Sequence, residues 1–95
     1  MAEPASARRR YRIVGEVQGV GFRWWTMRQA RELGLTGAVR NEPDGSVLLE
    51  VEGDAGAVAL LRDRLDRGPP GALVRQVLEL EPTSADLAGL FRIDH

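Results

Sequence analysis

Ninety-five residues, a formal net charge of −1 and a hydrophobic fraction of 43% describe one small domain with a packed core and no general nucleic-acid signature. There is no cysteine, which excludes a disulfide framework, a thiolate zinc site and a cysteine nucleophile; all thirteen basic residues are arginine, which excludes a P-loop lysine and Schiff-base chemistry. No apolar run approaches the roughly 20 residues of a membrane span, so no membrane role is expected.

Residues 1–9 are rich in Ala, Arg and Pro and carry no pattern. They are expected to form a flexible tail, leaving 10–95 as the domain. Arg8-Arg9-Arg10 is not followed by the apolar segment of a twin-arginine export signal, so a cytoplasmic protein is expected. Arg10 to Val17 alternates Tyr11 and Ile13 against Arg12 and Val14 and predicts a first strand. A glycine-rich stretch, GEVQGVGFR from Gly15 to Arg23, leads into a helix over Phe22 to Leu33, with Gly34 as its stop. Leu35 to Asn41 is a second strand, Glu42 to Gly45 a turn, and Ser46 to Glu52 a third strand that closes a hairpin. Asp54 is placed to cap a second helix over Ala55 to Arg67, with Arg62–Asp66 and Asp63–Arg67 as i,i+4 pairs on its wet side. Gly68-Pro-Pro-Gly71 ends it. Ala72 to Leu80 is a fourth strand whose alternation slips near Val77-Leu78, where a bulge is expected. Residues 81–90 are expected as loop, and Phe91 to Ile93 as a last short edge strand.

The order β-α-β-β-α-β predicts an α+β, ferredoxin-like sandwich: an antiparallel sheet with two helices on one face. A right-handed crossover makes strands 1 and 2 parallel, with strand 3 between them. The glycine loop and Asn41 then share one edge of the sheet, about 10 Å apart, a gap suited to a small anion held from both sides.

The loop itself supports two readings. Gly19 and Gly21 can adopt φ > 0 at a helix start, where unpaired N–H groups and the positive dipole end form an anion nest, with Arg23 as a planar fork for two phosphate oxygens. The same residues also suit a tight structural turn with a surface arginine. Gly19-Val-Gly21-Phe-Arg-Trp24 lacks the third glycine of a dinucleotide fingerprint.

GEVQGVGFR, followed by LGLTGAVRN, PDGSVLLEVEG and GPPGALV, closely resembles the acylphosphatase family, from about Tyr11 to Ile93. The resemblance implies hydrolysis of the mixed anhydride between a carboxylic acid and phosphate, with no metal and no cofactor. It implies a phosphate loop over Gln18, Gly19, Val20, Gly21 and Phe22, a phosphate-binding arginine at Arg23 and a water-positioning asparagine at Asn41. The chemistry agrees. A carboxylate leaving group needs little general-acid help, whereas the phosphoryl group needs charge stabilisation and an aligned water. Asn41 cannot take a proton near neutral pH, so the substrate's own phosphate is the expected base, and the rate profile should lack a histidine-like limb. Inorganic phosphate or sulfate is expected to compete over Gly19 to Arg23, and the protein is expected to be a monomer.

Phe22 and Trp25 are expected in the core, Trp24 half exposed on the other helical face, and Glu16 and Arg40 at the surface. His95, the single histidine and the last residue, is expected on a fraying end without a catalytic role. An RNA-recognition domain shares the element order, but SVLLEVE offers no aromatic for base stacking. A non-catalytic anion- or small-molecule-binding module is the alternative to an enzyme. A phosphate-loop domain of a larger carbamoyl-transfer protein is disfavoured by the length of 95 residues.

Overall fold

Tyr11 and Ile13 are buried while Arg10 and Arg12 are not, and on the neighbouring strand Val47, Leu49 and Val51 join the same core while Leu48 and Glu50, between them, are buried on the other face. Each strand thus has one face turned to the core. The computed structural model describes residues 5–95. In chain order the elements are β1 (Ser6–Glu16), α1 (Phe22–Glu32), β2 (Thr36–Asn41), β3 (Val47–Asp54), α2 (Ala55–Leu65), β4 (Leu73–Leu80) and β5 (Arg92–Ile93). The sheet order is β4-β1-β3-β2-β5. β3 lies between β1 and β2, antiparallel to both, as the crossover rule requires.

Both helices pack on the same sheet face. α1 buries Phe22, Thr26, Met27 and Ala30, and α2 buries Val58, Leu61 and Leu65, the helical spacing expected for a single apolar stripe. The ends are capped by local chemistry. The Asp54 carboxylate accepts from the Ala57 N–H at 3.0 Å. α1 closes in a Schellman turn: Leu35 N–H donates to the Ala30 carbonyl at 2.9 Å, Gly34 N–H donates to Arg31 at 3.1 Å, and Gly34 sits at φ 71. On the wet side of α2 the Arg62–Asp66 pair forms at 2.8 Å; among the described residues the Asp63–Arg67 pair does not.

Three features differ from the sequence expectation. β1 begins at Ser6 rather than Arg10, because β3 runs on to Asp54 and pairs with it from Ser6 to Ile13. Residues 6–9 of the expected tail are therefore strand, and residues 1–4 of it lie outside the described residues. The bulge falls at Arg75, where Val14 pairs with Gln76 and Gly15 with Val74, not at Val77-Leu78. Its partner Gly15, at φ 143, brings its backbone so close that a Cβ there would lie 2.0 Å from the Leu73 carbonyl oxygen. β5 is parallel to β2, so the sheet is mixed rather than wholly antiparallel. The reason is the path of residues 81–91. They leave β4 at one edge and reach β5 at the other, crossing the sheet face opposite the helices, with Leu87 only 3% exposed.

Candidate functional site

β1, β2 and β5 all run the same way, so their C-terminal ends meet at one edge of the sheet. Val17 turns into the core, and residues 18–21 form the bend that enters α1. Gly19 and Gly21 both have φ 77, a conformation that strains any L side chain. Gly21 is the N-cap residue of α1. Among the described residues no side chain caps this helix, and its first turn contains no acid. The opening N–H groups and the positive end of the dipole are thus left for another partner. A Cβ on either glycine would meet nothing within 4 Å, so the space above the loop is open. Together these are the features of an anion nest.

Arg23 lies in the first turn of α1, half-buried, and among the described residues it makes no ion pair. Its Nη1 is 3.5 Å from Nδ1 of His95. The parallel register explains that neighbour. Ala38 pairs with Arg92 and Val39 with Ile93, and the Asp94 N–H donates to the Val39 carbonyl at 2.9 Å. Carried two residues further, the register delivers His95 to the end of β2. The terminal residue, expected on a fraying end, thus lies exposed beside Arg23. The signal that could have found it is a parallel β5, which the sequence does not reveal.

Asn41 is the last residue of β2, half-buried, opposite Val47. The turn that follows is tightly bonded. Asp44 Oδ1 accepts from the Ser46 hydroxyl at 2.6 Å and the Ser46 N–H at 2.9 Å, and Arg12 donates to Asp44 Oδ2 at 3.3 Å. The Ser46 hydroxyl, then its amide, then Arg12 hold the Asp44 carboxyl below the usual carboxylate range. Gln18 ties the two halves together. Its carboxamide nitrogen donates to the Glu42 carbonyl at 2.8 Å and to the Ser46 carbonyl at 2.9 Å.

The remaining expected loop residues divide by role. Phe22 sends its ring into the core, 5.6 Å from the Trp25 ring, so only its backbone N–H faces the loop. Val20 packs partly on the core. Trp24 is 63% exposed. Glu16 pairs with Arg75 at 3.5 Å at the surface. Among the described residues no three His, Cys, Asp or Glu side chains gather as a metal site, and no helix is long and apolar enough to cross a membrane.

Residues 9–93 match the family model described as Acylphosphatase. The acylphosphatase of Rhizobium meliloti (strain 1021) is 51% identical over 82 residues, 86% of each chain. That of Mannheimia succiniciproducens is 42% identical over 88 residues, 93% of this chain and 98% of its own. Among solved structures, an acylphosphatase from Coxiella burnetii superposes with a TM-score of 0.85 at 35% identity, covering 94% of this chain and 93% of that one.

Proposed function

The chain belongs to the acylphosphatase family, and on that premise we propose how this site hydrolyses an acyl phosphate. The protein is an acylphosphatase, a hydrolase of the carboxyl–phosphate bond. Water attacks phosphorus in line with the acyl oxygen. The P–O bond to that oxygen breaks, and its electron pair leaves with the carboxylate. One proton of the attacking water passes to a phosphoryl oxygen of the substrate. The acyl phosphate dianion and water thus become a carboxylate and dihydrogen phosphate.

Each residue has one task in this reading. The N–H groups of the Gln18–Phe22 loop and the guanidinium of Arg23 hold the phosphoryl oxygens and take up charge as it develops. Asn41 holds the water through its carboxamide, which both donates and accepts. The observation that carries the reading is the uncapped, acid-free start of α1 with Arg23 in its first turn, at the sheet edge where β2 ends in Asn41. A monomer in the cytoplasm, inhibited by inorganic phosphate or sulfate at this loop, completes the proposal.

Isotope labelling tests the direction of attack. Benzoyl phosphate turned over in water enriched in oxygen-18 should yield labelled inorganic phosphate and unlabelled benzoate. Label in the benzoate would mean attack at the acyl carbon and would overturn the mechanism.

A further inference from the structure

The sheet face opposite the helices is roofed by residues 81–91, and Glu50 of β3 fixes the roof. Its carboxylate accepts from the Thr83 N–H at 2.7 Å, the Thr83 hydroxyl at 2.6 Å and Arg8 Nε at 3.0 Å. Between this segment and the strands lies a cavity of about 320 Å³. That is at the small end of the roughly 300–1,000 Å³ of ligand pockets. None of residues 18–23, nor Asn41, lines it.

Its lining is apolar below, with three guanidiniums and the carboxylates of Glu50 and Asp94 around the wall. Leu48 and Leu87 are buried, at 7% and 3% exposure. Arg10, Arg40 and Arg92 come from three different strands. Arg40 is paired with Glu42 at 3.1 Å and Arg92 with Asp94 at 3.0 Å, while the charge of Glu50 is met by Arg8 and Thr83. Arg10 differs from the others. Among the described residues it makes no ion pair, and its side chain's single hydrogen bond there is a long one, from Nη1 to the Glu81 carbonyl at 3.4 Å. Among the described residues, one guanidinium without an ion pair therefore stands beside an apolar floor.

We propose that this cavity is a second ligand site, taking a small organic monocarboxylate with a compact apolar body. The carboxylate sits on Arg10, which can bind both oxygens at once, and the body covers Leu48 and Leu87. One cation without an ion pair among the described residues suits one negative charge, and the apolar floor favours an organic anion over inorganic phosphate, which has no apolar surface to bury.

The test titrates benzoate into the full-length, nitrogen-15-labelled protein held in saturating sulfate, which occupies the phosphate loop. Amide shifts should map to Ala38, Arg40, Leu48 and Leu87. Arg10→Gln should weaken binding by roughly fivefold or more while turnover of benzoyl phosphate stays within about twofold. On the wild-type protein the neutral isostere benzamide should bind more weakly by a similar factor, a comparison that stands even if Arg10→Gln folds poorly. Shifts confined to residues 18–23 and 41, equal affinity for benzoate and benzamide, or no saturable shift at all would each overturn the proposal.

Discussion

The Gln18 carboxamide reaches from the glycine loop to the Glu42 carbonyl, 2.8 Å away, and its second proton goes to Ser46. With both protons engaged inside the chain, the side chain is a brace between the nest and the hairpin that carries Asn41. Gln18→Ala should lower kcat/KM for benzoyl phosphate by roughly tenfold and cost about 1 kcal/mol of stability. Gln18→Glu should be worse on both counts, since a carboxylate would face two carbonyl oxygens. Steady-state kinetics beside thermal melts check this. Wild-type activity in Gln18→Glu would show that the brace does not matter.

Glycines near the site have two different reasons to be glycine, and substitution separates them. At Gly19 a Cβ meets nothing within 4 Å, but φ is 77, so Gly19→Ala should cost about 1–2 kcal/mol and leave a folded protein whose nest is obstructed. At Gly15 a Cβ would lie 2.0 Å from the Leu73 carbonyl oxygen and 2.9 Å from the Arg75 nitrogen, so Gly15→Ala should break the β1–β4 bulge. Urea unfolding should rank Gly15→Ala far below Gly19→Ala. Equal stabilities would contradict the argument.

Acid should loosen the roof over the open sheet face. Burial alone would raise the Glu50 carboxyl, but the Thr83 hydroxyl and amide and the Arg8 guanidinium outweigh it and hold the group below its ordinary value of 4.5. A carboxyl depressed in the folded state contributes stability that is whole above the unfolded value and disappears as pH falls through the folded one. Between about pH 5 and about pH 3 the wild-type Tm should therefore fall more steeply than that of Glu50→Gln. At neutral pH, Glu50→Gln should cost about 1–2 kcal/mol, because a neutral amide cannot accept from all three donors as a carboxylate does. Parallel pH–Tm slopes would contradict this.

Thr26 is fully buried in α1, and among the described residues its hydroxyl has no hydrogen-bond partner. Thr26→Val removes that orphaned group at similar volume, so stability should rise by up to about 1 kcal/mol, with activity unchanged. A clear loss of stability by calorimetry would mean that the hydroxyl is bonded in solution.

The contrast between local and long-range information explains what the sequence made legible. Both helices, the β2–β3 hairpin and the Asp54 cap follow from spacing and capping over a few residues, and the β1-β3-β2 order follows from the handedness of one crossover. The GEVQGVGFR loop and Asn41 carry the family resemblance because both lie in contiguous motifs. The features that differ rest on pairing between distant segments. The first residues of β1 are strand only because β3 extends to Asp54, and no pattern within SARR signals that. Residues 81–90 look like surface loop, yet Leu87 is buried because Glu50 anchors Thr83 on the far face. His95 reaches Arg23 only because β5 is parallel to β2, a direction decided by where the crossing segment ends.

In the proposed mechanism Arg23 and Asn41 divide the work into holding phosphate and holding water, and one pair of measurements tests that division. Steady-state kinetics with benzoyl phosphate would be run beside the inhibition constant of inorganic phosphate for wild type, Arg23→Gln and Asn41→Ala. Arg23→Gln should lose roughly 100-fold or more in kcat/KM and weaken phosphate inhibition by a comparable factor. Asn41→Ala should lose a similar factor in kcat while phosphate inhibition stays within about threefold of wild type. An Asn41→Ala protein that turns over at the wild-type rate, or an Arg23→Gln protein that still binds phosphate normally, would contradict the account.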